Sequence, residues 1–499
     1  MFLRWLVVVL CCSSASCSDW SELHCVTGRT TLVQLFEWRW ADVARECEDF
    51  LGPKGFCGVQ ISPPSENAVV TGRPWTERYQ PISYKLSTRS GNETQFQDMV
   101  ERCNNVNVRI YADVAINNMA SGAGKGTGTG GTSWDGTLND FPGVPFGNSD
   151  VNTACTSTIQ SNYDAQGVRK CRLDGKVDLH QGKDYVRDKI AEYLNKLLGI
   201  GVAGFRVDAT RNMWPGDLTA IFGRLQNLNS TVFGSGKKPF LYQDIRDDQT
   251  VGDGEYLTTG RITKYLYGVK LNEVFRKQNA LKWLETFGKS WGIGESTDVV
   301  VFISNHDSQR NDGNVLTYKD SRLYKMATAF MLAWPHGVPI ITSSYNFTEV
   351  NQGPPSTNEE IDPVTITPDG RCAGGWVCEH RWPQVYSMVA FRNIAGSEPV
   401  ENWTVTSEYQ VSFSRGNKTF IAINLESFDF KATVQTGLSA GWYCDVMSGY
   451  LGNDGKCTGT TVKVRHDGTA DISICGRNQN PVVAIHTGQQ IGSAVRTLG

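Results

Sequence analysis

The stretch Tyr185-Val-Arg-Asp-Lys-Ile-Ala-Glu-Tyr-Leu-Asn-Lys-Leu-Leu198, followed after a short glycine-bearing break by Gly204-Phe-Arg-Val-Asp208, decides the fold. Its first half places Val186, Ile190, Leu194, Leu197 and Leu198 on one face of a helix. Its second half is a short apolar run, the pattern of a strand buried on both faces, and it closes on a carboxylate. The same alternation spreads outward in both directions. Thr31–Phe36, Gly58–Ile61, Val108–Asp113, Phe240–Asp244 and Val299–Ile303 read as strands, and Trp40–Leu51 and Glu93–Asn104 carry helical spacing. Repeated strand–helix units over this length predict an α/β fold with a parallel sheet closed into a (β/α)8 TIM barrel.

Two regions break the rhythm. From Met119 to about His180 the chain is rich in Gly, Ser, Thr, Asn and Asp, and predicts a loop-rich domain inserted into the barrel. Its run Ser121-Gly-Ala-Gly-Lys-Gly-Thr-Gly-Thr-Gly-Gly131 lacks the Gly-Lys-Ser/Thr ending of a phosphate loop and reads as a flexible surface loop. After Gly396, runs such as Thr419–Asn424 and Thr460–Arg465 alternate with turns and predict a C-terminal antiparallel β-sandwich. The expected division is a signal peptide over 1–17, barrel over 18–118, insert over 119–180, barrel again over 181–396, and sandwich over 397–499.

The signal peptide rests on Arg4, the apolar run Trp5–Cys12 and the small residues Ser13–Cys17, and it predicts secretion. Nothing later reaches the roughly 18 apolar residues of a membrane span. The 499 residues carry 48 Lys+Arg against 51 Asp+Glu, a net charge of -3, which argues against nucleic acid or a membrane surface as partner. The 51 glycines and 14 tryptophans suit elaborate loops and a stacking surface for sugar rings. Cys155 and Cys171, Cys372 and Cys378, and Cys444 and Cys457 are close along the chain, as disulfides of an exported protein would be. Cys25, Cys47, Cys57, Cys103 and Cys475 leave an odd number, so one free or unusually paired thiol is expected. Asn92, Asn229, Asn346, Asn402 and Asn417 head glycosylation sequons.

In a barrel of this kind, chemistry sits at the C-terminal ends of the strands. Asp113, Asp208 and Asp244 each close a strand, and Val299–Ile303 runs into Ser304-Asn-His-Asp307. A single such carboxylate can be a turn former. Four at equivalent places, one near Arg206 and one beside His306, point to glycoside chemistry with a nucleophile and an acid/base.

Leu35-Phe-Glu-Trp-Arg-Trp40, Gly204-Phe-Arg-Val-Asp-Ala209, Met213-Trp-Pro-Gly-Asp217, Asn305-His-Asp307 and Trp376-Val-Cys-Glu-His-Arg-Trp382 carry a resemblance. From about Gly28 onward the chain resembles the animal-type α-amylases of the large (β/α)8 glycoside hydrolase family. The resemblance implies retaining endo-hydrolysis of starch-like α-1,4-glucan by a secreted, monomeric protein. It implies Asp208 as nucleophile, Asp244 at the acid/base position and Asp307 as the transition-state stabilising carboxylate. Trp75, Tyr79, Gln80, Asp113, Arg206 and His306 match sugar-contacting positions. Calcium would be held by Asn117 and Asp178 through side chains and by Arg169 and Asn212 through backbone oxygens. Chloride would involve Arg206 and Asn305, and Cys47 would pair with Cys103.

The departures cluster at one place. The family's acid/base is glutamate where this chain has Asp244, its Asn-His is Asn117-Asn118, and its second stacking tryptophan is Thr76. The second chloride arginine is Ile340, so chloride binding is not expected, and Glu255 matches a non-catalytic glutamate. Two readings follow: a glucan hydrolase weakened or altered at its acid, or a catalytically inactive carbohydrate-binding, structural or signalling relative.

Overall fold

A computed structural model describes residues 20–492 except 161–163, 247–250 and 312, so the expected signal peptide lies outside the described residues. Eight parallel strands close a barrel: β1 (Leu32–Leu35), β2 (Gly58–Ile61), β3 (Arg109–Val114), β4 (Gly204–Val207), β5 (Phe240–Gln243), β6 (Arg261–Lys264), β7 (Val299–Val301) and β8 (Val338–Ser343). Each strand pairs with its neighbours in chain order, and β8 returns to β1 with Leu32 opposite Ile340 and Leu35 opposite Ser343. Nearly every strand residue is buried, because side chains fill the barrel on one face and meet the helical ring on the other. β6 and β8 are absent from the sequence reading. Between β5 and β6 the chain forms a 3-10 helix, Asp253–Thr259, and α-helix Tyr265–Phe275 follows β6 directly.

Local chemistry sets the element ends. Helix Glu93–Asn105 starts at Asn92, whose side chain accepts from the Gln95 N–H while Gln95 reaches back to the Asn92 N–H. It buries Phe96, Met99, Val100 and Cys103, and a Cys47–Cys103 disulfide ties it to the helix before β2. Helix Asp184–Ile200 ends at Gly201 with φ 116°. At Gly204 a Cβ would lie 2.0 Å from the Phe240 carbonyl oxygen, so only glycine lets β4 and β5 pack this closely.

Between β3 and β4, two small antiparallel pairs form, Asn118–Ser121 with Lys176–Asp178 and Lys125–Thr127 with Ser133–Asp135. The glycine run is therefore not a free loop. Its Gly130 and Thr132 N–H groups each donate to Glu66 Oε1 at 2.9 Å, which anchors the insert to the barrel. A Cys155–Cys171 disulfide closes the far side.

The C-terminal domain has a four-stranded antiparallel sheet of Val400–Ser407, Gln410–Arg415, Thr419–Asn424 and Val482–His486, faced by two strand pairs. The alternation along a strand assigns each side chain to one face. Phe420, Ala422, Val483 and Ile485 point into the sandwich core. Ile421, Ile423, Val482 and Ala484 join the barrel's core beside Val385, Met388 and Phe391 of helix Pro383–Ala395. Fully burying such a side chain contributes about 1.5–3 kcal/mol, so this two-sided sheet fastens the domain to the barrel. Cys372–Cys378 and Cys444–Cys457 are bonded. Cys25 pairs with Cys57, a bridge the sequence left open, and Cys475 is free and exposed. Among the described residues no helix is long and apolar enough to cross a membrane.

Candidate active site

The strand ends bring Asp113, Asp208, Asp244 and Asp307 to one mouth of the barrel around Arg206 of β4. The Arg206 Nη1 donates to Asp113 Oδ1 at 2.7 Å, Asp113 Oδ2 at 2.8 Å and Asp208 Oδ1 at 2.9 Å. Its Nη2 stands 2.9 Å from Asp244 Oδ2. One buried guanidinium thus holds three carboxylates, and without it their mutual repulsion in a water-poor site would be costly. Burial raises the Asp208 carboxyl to about 7, Arg206 opposes the rise, and Asp113 and Asp244 add to it. Ala209, next in the chain, takes a left-handed φ of 51°, turning the backbone sharply after Asp208.

A second chain of hydrogen bonds runs beneath the cleft. Gln34 Nε2 lies 2.8 Å from His306 Nδ1, His306 Nε2 lies 2.9 Å from Tyr79 Oη, and Tyr79 Oη donates to Asp113 Oδ2 at 2.9 Å. Burial pushes His306 well below its ordinary pKa, so the ring is neutral. Gln34 then donates to Nδ1, and the Nε2–H donates to Tyr79. Phe36 stacks on His306 at 4.7 Å, and Trp75 meets Tyr79 edge-on at 5.8 Å, walling one side with aromatic surface. Asp113 is fully buried below this layer.

The open space above is a cleft of about 700 Å³ that includes Trp75, Thr76, Tyr79, Gln80, Asp208, Asp244, His306 and Asp307 on its walls. Gln80 Oε1 accepts from the Ser121 N–H at 3.2 Å, coupling the cleft wall to the insert. Asn118, at the family's histidine position, spends its amide on the Tyr79 and Met119 carbonyls and is buried. Glu255 is not on the cleft wall: it pairs with Arg169 Nη2 at 2.9 Å.

Two functional-looking residues escaped the sequence reading. Tyr265 Oη donates to Asp244 Oδ1 at 2.8 Å and accepts from Asn305 Nδ2 at 3.0 Å. Arg246 pairs with Asp307, its guanidinium 5.2 Å from the Tyr265 ring centroid. Arg246 follows Asp244 by two residues at the end of β5, and that spacing was the available signal.

The expected calcium positions lie where the insert leaves the barrel. Among the described residues no group of three His, Cys, Asp or Glu gathers. An oxygen set needs none, since carbonyl and amide oxygens suit calcium. Asn117 Oδ1 and Asp178 Oδ1 are both buried without a hydrogen-bond partner, and burial pushes the Asp178 carboxyl up to about 8. Two orphaned oxygens beside the register pair Asn118–Asp178 fit a hard cation. Asn212 Nδ2 donates to the Val168 carbonyl at 2.9 Å, joining helix Ala165–Lys170 to the turn after Asp208.

The expected chloride positions do not fit an anion. Both terminal nitrogens of Arg206 serve carboxylates, the Asn305 donor serves Tyr265, and Ile340 of β8 is a buried hydrocarbon. Exchanging chloride for acetate at constant ionic strength should leave activity and melting temperature unchanged; strong chloride activation would contradict this arrangement.

The α-amylase C-terminal all-β domain family matches residues 403–488. An α-amylase of Pecten maximus is 50% identical over 501 residues, covering 98% of each chain. Alpha-amylase 1B of Homo sapiens is 49% identical, covering 92% of this chain and 94% of its own. The solved E249Q mutant of α-amylase I from Eisenia fetida in complex with maltohexaose superposes with TM-score 0.89 at 42% identity, covering 94% of this chain and 99% of that one. A barrel closed in chain order, carboxylates at its mouth and these near-full-length relatives agree: the chain belongs to the animal-type α-amylases of the (β/α)8 glycoside hydrolase family.

Proposed function

We propose that the protein is a secreted, retaining endo-hydrolase of starch-like α-1,4-glucan whose rate is limited by its short acid, Asp244. The observation that supports this most is the placement of Asp208 and Asp244 on neighbouring nitrogens of one guanidinium, with Asp307 across the same cleft. A nucleophile and an acid/base held close together are the retaining arrangement.

In this reading Asp208, whose ionised form Arg206 favours, attacks the anomeric carbon. The glycosidic bond breaks and Asp244 gives its proton to the departing oxygen. Asp244 then takes a proton from water, whose oxygen attacks the same carbon and frees Asp208. Asp307 accepts hydrogen bonds from the sugar hydroxyls, and Trp75 and Tyr79 supply the apolar wall. Arg206 and Tyr265 both bind Asp244, and aspartate reaches about 1.5 Å less far than glutamate. Release of reducing ends from maltoheptaose, with the new end appearing first as the α-anomer by NMR, tests the reading. A β-anomer would overturn it.

A bound calcium would be held by Asn117 and Asp178 side chains with the Arg169 and Asn212 carbonyls, and its chemistry would be structural, pinning the insert to the barrel. A ligand that binds only the folded state stabilises it by about 2.7 kcal/mol at a hundred times its Kd. A calcium chelator is therefore expected to lower the melting temperature, and Asp178→Asn to remove that response. No shift in the native protein would remove these residues from the metal set.

The second reading, a carbohydrate-binding relative without catalysis, draws on Asp244, Asn118 and Thr76 departing together around one cleft. It predicts glucan binding without cleavage, even in Asp244→Glu.

A further inference from the structure

We propose that Arg246 is a salt-sensitive latch on Asp307, occupying the carboxylate that sugar must engage and so setting how tightly the cleft takes α-glucan. The inference rests on the reading of Asp307 as a sugar-contacting carboxylate. Arg246 donates to Asp307 Oδ2, while its guanidinium lies against the ring of Tyr265, the residue that donates to Asp244. It therefore stands between the stabilising carboxylate and the group that orients the acid.

Arg246 differs from Arg206 in its freedom. The Arg206 side chain is 4% exposed and is held by three carboxylates, whereas the Arg246 side chain is 42% exposed and that of Asp307 is 23% exposed. Arg206 cannot leave; Arg246 can swing toward solvent. A glucan hydroxyl that hydrogen-bonds Asp307 must displace or share this guanidinium, and part of the glucan's binding energy is spent there. A partly exposed ion pair of this kind corresponds to a factor of about 2–5 in an equilibrium constant.

The electrostatic consequence is specific. Small ions screen partly exposed pairs, so added salt weakens the latch. A neutral glucan has no charge of its own for salt to act on. Its affinity is therefore expected to rise with ionic strength, the reverse of a charge-assisted ligand. Sodium acetate serves as the salt, which separates this effect from any specific action of chloride. Arg246 is a positioning residue in this account, acting through Asp307.

The test is titration calorimetry of maltoheptaose into full-length Asp208→Asn protein at low and high sodium acetate, with and without Arg246→Gln. The expected result is an affinity that rises about 2–5-fold with salt when Arg246 is present. With Arg246→Gln the higher affinity should appear at both salt levels, and Arg246→Lys should restore the salt slope. In the catalytically competent protein, Arg246→Gln should lower KM at low salt. An unchanged salt slope in Arg246→Gln overturns the latch, as does weaker binding at both salt levels, which would make Arg246 a sugar contact. Binding to none of the variants would overturn the glucan reading and the latch with it, whereas binding with an unaltered slope overturns the latch alone.

Discussion

Asp244→Glu is expected to raise the rate of starch hydrolysis by about 100-fold, because a misplacement of about 1 Å at a reacting group costs on that order. The aspartate sits immediately after β5 on a strand buried along its whole length, so the backbone cannot move outward to compensate for the missing methylene. Its two oxygens already engage Arg206 Nη2 at 2.9 Å and Tyr265 Oη at 2.8 Å. A glutamate carboxyl would extend past both into the cleft. Starch digestion by the purified native and variant proteins, followed by reducing-end release, checks this. A variant no faster than the native protein would place the limitation elsewhere, with Asn118 and Thr76 the next positions to restore.

Asp208→Asn is expected to lower activity by on the order of 10,000-fold or more, the effect of removing a nucleophile whose function no neighbour can assume. The measurement is best made in the Asp244→Glu background, where the faster starting rate leaves room to see the loss. Asparagine keeps the size and shape of the side chain but cannot form the covalent ester. It also removes one of the three charges that Arg206 balances. The remaining Asp113 and Asp244 still neutralise the guanidinium, so the fold should survive, and an unchanged melting temperature would show it. Retention of starch cleavage in this variant would remove Asp208 from the nucleophile's role.

The parts of this molecule that were legible in the sequence are those whose role is fixed by burial along the chain. Gly58–Ile61, Gly204–Val207 and Phe240–Gln243 are mostly apolar, short and bounded, so each could be read as a buried strand. Arg261-Ile-Thr-Lys264 could not, because its ends are charged. Lys264 reaches Asp253 and Arg261 reaches the Ser296 carbonyl, leaving Ile262 as its only apolar side chain. Val338–Ser343 contains Pro339, which argues against a central strand. Here Pro339 lies opposite Val301 in the barrel.

The site divides in the same way. Asp113, Asp208 and Asp244 announce themselves because each closes a strand, and strand ends converge in a barrel. Arg246 and Tyr265 did not, since what matters about them is how far a side chain reaches across the cleft, and no period in the sequence encodes that. Cys25–Cys57, separated by 32 residues with other thiols to choose from, likewise depends on the tertiary fold. Asn118 shows the opposite limit. The sequence reveals that an imidazole is missing, but only the structure reveals that the amide replacing it has turned to the backbone.

The central claim is a working nucleophile paired with a short acid. The measurement that tests it most directly compares turnover of α-maltosyl fluoride and maltoheptaose by the same native protein. Fluoride departs without needing a proton, so its release asks only for Asp208, whereas cleavage of maltoheptaose asks for Asp244 as acid as well; Asp244 as base in the second step is common to both. Ready release of fluoride is expected beside maltoheptaose cleavage about 100-fold below that of a glutamate-bearing relative. Failure to release even a first equivalent of fluoride would show that the nucleophile itself is idle, and equal ease with both substrates would show that Asp244 is no handicap; either result contradicts a working nucleophile paired with a short acid.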